Sequence, residues 1–423
     1  MRKLLVALMI VAFAATAFAT DIKFSGTYEV SGKYLKNTEA REDDTLEHRF
    51  YEHDFDLWLK ADVDKDTFFK AKFEILDDTW QGSPGNDTGY GNQTQFSVQR
   101  AWMGHNFGSV LLEVGLMDGG AWSYAFGNNK EGHYRIKATV PVSNGRVSFY
   151  TQKSKETEDL GFDDTTDTYT GSAYVEDQQK DDNDAYAINY VGKFNGITVA
   201  PLLVYKNNSY KVADQGSDGE KIWSLDLAVG GDLGPVGFEF EFDYDNASAD
   251  FDYAVGEDSY DVFGIYGNVF TKVGGATVGF ITAYSSFDKD AGVAYDMADD
   301  FDDDLLFILG DEGYLSSAIG AAGVALNGSY SGLAAIWANG IYAAYDVNEK
   351  LNITGGFFYA MSTAEDTAVE DATGYEFDLI GSYAVTDALS YKVQLGYASV
   401  DPDVSGVDPD PAMALFHTLS LSF

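Results

Sequence analysis

The sequence predicts an all-β protein, a transmembrane antiparallel β-barrel of about 18 strands, or 16 if one pair is misread. Three observations carry that expectation. Apolar and polar residues alternate with period two over runs of about 10–15 residues, against roughly 5–6 in an ordinary strand. The connections between runs are short and long in turn. The mature chain holds no stretch near the roughly 18–20 apolar residues of a spanning helix, while Gly (44), Tyr (28) and Phe (29) are abundant and Pro is scarce at 7, a mixture suited to strands and turns.

The first 19 residues, "MRKLLVALMIVAFAATAFA", read as a cleaved secretory signal. Arg2 and Lys3 precede an apolar run from Leu4 to about Phe13, and Ala17-Phe18-Ala19 forms a small-x-small site. Residues 20–423 then form one barrel domain. "DIKFSGTYEVSGKY" opens it, with Ile22, Phe24, Tyr28, Val30 and Tyr34 on one parity and Asp21, Lys23, Glu29 and Lys33 on the other. "RFYEHDFDLWLKADV" follows, turns at 64–66, and returns as "TFFKAKFEIL". "HYRIKATV" meets "RVSFYTQ" across Asn144-Gly145, and "DAYAINYVGKF" meets "ITVAPLLVYK" across Asn195-Gly196, both turns of hairpin type. "KIWSLDLAVG" leads to "GFEFEFDYD", where Phe238, Phe240, Phe242 and Tyr244 oppose Glu239, Glu241, Asp243 and Asp245. The pattern continues through "SYDVFGIYGNVFTKV", "ATVGFITAYSSF" and five later segments to "ALFHTLSLSF". Short connections at 64–66, 106–109, 143–145, 195–196, 232–235, 274–275, 348–350 and 386–388 alternate with long ones such as 77–94, 153–183, 207–219, 288–332 and 402–411. A membrane barrel has this asymmetry between its two rims.

Lys+Arg 27 against Asp+Glu 68 gives −41, which argues against nucleic acid as a partner and favours cations or a well-solvated exterior. Cysteine is absent, removing disulfides, thiolate catalysis and Cys-based metal sites. No enzyme is expected. His48, His53, His105, His133 and His417 fall on separate elements, and no Gly-x-Ser-x-Gly is present. Acid-rich loops stand out. The loop from Glu156 to Asp184 has Lys180 as its sole base, and Asp299, Asp300, Asp302, Asp303 and Asp304 cluster later. Oxygen-rich clusters suit Ca²⁺. The second run lacks the glycine and distal glutamate of a calcium-hand loop, so these are weak candidates and no other cofactor is expected.

The last residues, "HTLSLSF", place Leu419, Leu421 and Phe423 on one face and end the chain on an aromatic. Together with "QRAWMGHNFGSVLLEVGLMDGGAW" (99–122), this resembles the Gram-negative outer-membrane porins of general-diffusion type. The resemblance implies a bacterial outer-membrane location, short periplasmic turns and long extracellular loops. It further implies Phe423 as a signal to the β-barrel assembly machinery, a homotrimer, contact with lipopolysaccharide and a loop folded into the pore. The basic residue usual soon after the second strand's glycine is missing, since Leu116-Met117-Asp118 follow Gly115.

A diffusion pore needs a wall of charges and a constriction. By parity, Lys33, Lys70, Lys72, Arg135 and Lys137 face inward as a basic arc, and Glu239, Glu241 and Asp243 face inward from roughly the other side. The connection 117–132, with Asp118, Trp122, Tyr124 and Glu131, is the candidate constriction loop, because Gly119-Gly120 permit a sharp bend. Strict alternation turns Arg100 outward, where an arginine at mid-bilayer costs about 2–4 kcal/mol. Either a bulge returns it or, as the trimers of the resembling family imply, a neighbouring subunit covers it. The functional expectation is a water-filled, cation-preferring channel for small hydrophilic solutes. The alternatives are a sugar-type specific channel, for which Phe50 and Trp58 share inward parity, and a secreted soluble β-rich surface protein.

Overall fold

The computed structural model describes residues 21–38, 47–80, 96–126, 128–155, 162–163, 168–169, 183–208, 217–251, 259–297, 305, 308–309, 334–367, 369–404 and 408–423. The expected signal segment, 1–19, and the calcium candidates Asp299, Asp300, Asp302, Asp303 and Asp304 lie outside the described residues. Eighteen long strands follow one another: Asp21–Lys36 (β1), Glu47–Asp62 (β2), Thr67–Thr79 (β3), Ser97–Phe107 (β4), Val110–Ala121 (β5), Asn128–Val142 (β6), Gly145–Lys155 (β7), Asn183–Phe194 (β8), Ile197–Asn208 (β9), Ser217–Leu233 (β10), Val236–Phe251 (β11), Ser259–Val273 (β12), Ala276–Ser285 (β13), Ile336–Asn348 (β14), Leu351–Ser362 (β15), Thr373–Ala384 (β16), Leu389–Asp401 (β17) and Ala412–Ser422 (β18). Each pairs antiparallel with the next, and β18 pairs back onto β1, closing an 18-stranded sheet without an edge.

Local chemistry accounts for the joints. Asn195 (φ 50°) and Gly196 (φ 91°) supply the two left-handed residues of a tight hairpin between β8 and β9. Asp64 closes the β2–β3 turn by accepting the N–H groups of Asp66 and Thr67, both at 2.8 Å. At the seam the Gly26 N–H donates to the Phe423 carbonyl (2.9 Å) and the Phe423 N–H to the Gly26 carbonyl (3.0 Å).

The outer face is apolar. Phe24, Phe69, Ile136, Ile188, Phe280 and Ile341 are exposed members of a belt that continues around the ring, a surface suited to lipid rather than water. The inner face divides in two. On β1–β7 it is densely charged. On β12–β18 it is largely apolar, and Tyr266, Ile281, Ala283, Ala338, Phe358 and Ala398 pack with Met297, Leu305, Ile308 and Leu309 from the β13–β14 connection. A second inward segment, 122–126 between β5 and β6, joins that packing through Ala125 and Phe126.

Candidate functional site

The segment 122–126 crosses from the β5–β6 side of the barrel to β11. There Glu241 accepts the backbone N–H groups of Tyr124 (3.0 Å) and Ala125 (2.7 Å) on Oε2 and of Phe126 (3.1 Å) on Oε1. A carboxylate facing successive N–H groups makes charge-assisted bonds, roughly twice as strong as neutral ones. Gly230 on β10 leaves room for the Tyr124 ring, since a Cβ there would lie 2.5 Å from its Cζ. Burial, then the charges of Glu239 and Glu241, push the Tyr124 phenol above its ordinary pKa.

The root of the segment is held by the opposite polarity. Arg135 on β6 donates through Nη1 to the carbonyls of Asp118 (3.3 Å) and Gly119, and through Nε to Gln152 (2.8 Å), with its guanidinium 4.3 Å over the Tyr150 ring. Arg100 donates through Nε to the Asp118 carboxylate at 2.6 Å. Cations grip carbonyls and a carboxylate at the root, and an anion grips N–H groups at the far wall. The strand end that leads into the segment and the segment's own residues 124–126 are thus both held.

Of the two alternatives left open for Arg100, a bulge or a subunit interface, the structure shows the bulge. The register slips between Lys72 and Phe73, so that Lys72 pairs with Arg100 while Phe73 pairs with Val98. The extra residue, Gln99, is a bulge that reverses parity for everything before it. Arg100 therefore shares the strand face of Trp102, and Trp102 packs edge-on to Trp58 (6.2 Å) inside the ring. At 7% exposure, with Asp118 as its partner, Arg100 is satisfied within its own chain.

A correction concerns Glu241 and Asp243, expected to line the water. Strand parity aims both inward, yet they are 0% and 5% exposed. Glu241 is covered by 122–126, and Asp243 accepts the Tyr295 hydroxyl at 3.0 Å from the β13–β14 connection. Phe126 packs against the Tyr295 ring at 5.7 Å, so the two inward segments touch. Glu239 accepts from Asn268 Nδ2 at 3.2 Å and is half-buried. Trp122 is half-buried. The side chain of Glu131 lies outside the described residues.

The basic residues of the early strands are interleaved with acids that parity also aimed inward. Lys33 pairs with Glu52 (2.9 Å) and lies 5.1 Å over the Phe416 ring, and Lys72 pairs with Asp56 (2.6 Å). Lys70 sits over Phe68 (5.4 Å) and Trp102 (5.3 Å), while Lys137 lies directly across from Glu113. Two exposed carboxylates on this side, Asp54 and Asp77, are paired across β2 and β3. The alternation that placed Phe50 and Trp58 inward also marks Glu52, Asp54 and Asp56, so this acidic ladder was readable. Among the described residues no group of three or more His, Asp or Glu side chains is placed to hold a metal ion.

No protein-family model matches the sequence, and no curated protein matches it. Solved structures do match the barrel. OccAB2 of Acinetobacter baumannii superposes with a TM-score of 0.57 at 11% identity, over 95% of this chain and 98% of that one. OccK8 (OprE) of Pseudomonas aeruginosa gives 0.56 at 12%, over 95% and 98%. The outer membrane protein opdK of the same organism gives 0.56 at 11%, over 95% and 99%. The fold is the closed β-barrel of these structures, one of which is an outer membrane protein. The water-accessible charged wall lies on the early strands, faced by a segment pinned across the ring.

Proposed function

We propose that the protein is a channel of the bacterial outer membrane that passes small hydrophilic solutes and ions with a preference for cations. The observation that carries this reading is the segment 122–126 inside a closed, charged barrel, with Arg135 holding the end of β5 that leads into it at Asp118 and Gly119 and Glu241 holding residues 124–126. Such a segment narrows a bore. Cation preference is supported by the net charge of −41 and by the early strands, where Glu52 and Asp56 neutralise Lys33 and Lys72 and leave Asp54 and Asp77 exposed. A solute-specific channel is the second reading, favoured by the second inward segment, which fills the β12–β18 side. Insertion by the assembly machinery through the strand ending at Phe423, contact with lipopolysaccharide and a homotrimeric state belong to the same proposal, supported by the exposed apolar belt.

Single-channel recording in planar bilayers under a salt gradient tests it. Discrete conductance steps with a cation-selective reversal potential are expected, and anion selectivity would overturn the preference. Saturable block by one solute class would favour the specific channel, and linear permeation general diffusion. Heat-modifiable migration in detergent and resolution of subunits after crosslinking test the barrel in the membrane and the trimer.

A further inference from the structure

The tripeptide Glu-Phe-Asp occurs twice, at Glu241-Phe242-Asp243 on β11 and Glu376-Phe377-Asp378 on β16. In a strand the first and third residues share a face, so each copy sends a glutamate and an aspartate inward side by side and a phenylalanine outward. The second copy repeats the environment of the first. Glu376 is 0% and Asp378 5% exposed, and Glu376 accepts the Ile308 N–H on Oε1 and the Leu309 N–H on Oε2, each at 2.9 Å. Both glutamates thus receive consecutive backbone N–H groups from a segment lying inside the barrel. The segments come from different connections, and the glutamates stand on strands that are not neighbours.

The chemistry explains the residue choice. Short inward segments outside a sheet leave N–H groups without ladder partners, and burial makes each orphan costly. A glutamate on the wall presents two oxygens that accept in parallel, and its reach exceeds that of aspartate by one methylene. Ile308 and Leu309 then turn their side chains into the apolar cluster with Phe358 and Ile336.

We infer that Glu-Phe-Asp is a docking device used twice on this inner wall, and that Glu376 is the positioning residue that seats Ile308 and Leu309 as Glu241 seats 124–126. The second dock fixes the apolar filling of the β12–β18 side and thereby confines water to the opposite wall. Its effect on conductance rests on the channel reading proposed above, whereas the docking itself does not.

The chain contains no cysteine, so single reporters are unambiguous. Leu309→Cys and Ala125→Cys, at positions 1% and 2% exposed, are to be labelled in isolated outer membranes with a membrane-impermeant thiol reagent. Adding Glu376→Gln replaces one acceptor oxygen by a donor, and labelling at 309 should accelerate on the order of tenfold while labelling at 125 changes little. Adding Glu241→Gln should do the reverse. Ile308→Pro removes one donor from the segment and leaves the wall intact. It should accelerate labelling at 309 as well, and serves if Glu376→Gln fails to assemble. Fast labelling at 309 in the otherwise unaltered protein, an unchanged rate in both variants, or equal acceleration of both reporters by either glutamate variant would overturn the inference. Absence of conductance in bilayers with the labelling pattern intact would refute the channel reading alone.

Discussion

The inner walls of β1–β7 and β12–β18 are built by the same alternation, yet one is ionic and the other is dry. On the first, Lys33, Lys72 and Arg135 meet Glu52, Asp56 and the carbonyls of Asp118 and Gly119. On the second, Ile281, Ala283 and Phe358 meet Met297 and Ile308. An inward residue in a barrel is selected by what lies beside it, and that is water on one side and folded chain on the other. Of the acids buried in the packed region, Glu241 and Glu376 are each matched to N–H groups and Asp243 to the Tyr295 hydroxyl, as burial of a carboxylate demands.

The sharpest test of that contrast places one charge on each wall. Ala283→Asp puts an unpaired carboxylate at a fully buried site and should cost on the order of 3–5 kcal/mol. Loss of the heat-modifiable barrel band is the expected outcome. Ser25→Asp, exposed on the inner face of β1, should stay within about 0.5 kcal/mol. Equal damage from both would erase the distinction between the walls.

Next in size is Glu241→Ala, which strands three N–H groups at a cost of about 2–3 kcal/mol to segment docking. The barrel should still assemble, with larger and noisier conductance in bilayers. A smaller effect follows for Arg100. A double-mutant cycle of Arg100→Ala and Asp118→Ala should show coupling of about 1–3 kcal/mol in thermal stability. Additive effects, or a change in oligomeric state from Arg100→Ala alone, would restore the interface assignment.

The smallest effect belongs to the turn. The N–H of Asp66, then the hydroxyl of Thr67, hold the Asp64 carboxyl below its ordinary 3.8. A depressed folded-state pKa stabilises above the unfolded value and loses that contribution as pH falls through the folded one. Asp64→Ala should thus melt slightly lower than the parent at neutral pH, with the gap closing below 3.8. A gap independent of pH would mean that the turn owes nothing to the charge.

The strands and their short turns were legible because one buried or lipid-facing side fixes the period, and Asn195-Gly196 fixes a register. Strict alternation turned Arg100 outward and left a bulge or a covering subunit as the ways out, and it could not choose between them because a bulge is a backbone event. Gln99 has no side-chain signature that marks it as the inserted residue. Alternation also gives direction without surroundings, so it aimed Glu241 inward and could not say that 124–126 would cover it. The dry wall did leave a trace. "ATVGFITAYS" is apolar on both parities, with Ile281 and Ala283 on one and Phe280 and Tyr284 on the other, the texture of a strand covered on both faces. The repeated Glu-Phe-Asp was likewise visible as letters, but only the N–H groups of Ile308 and Leu309 give it meaning.

The seam between Gly26 and Phe423 has a kinetic consequence. The ladder that closes the ring joins nearly the two extremes of the described chain, from Thr27–Ser422 to Lys36–Met413, so ring closure cannot precede delivery of β18. Until then β1 and β18 are each an open edge able to pair with another molecule. Sequence separation of this size makes closure slow in the absence of help. A chain lacking β18 would linger in that two-edged state, vulnerable to proteolysis and to strand exchange with its neighbours.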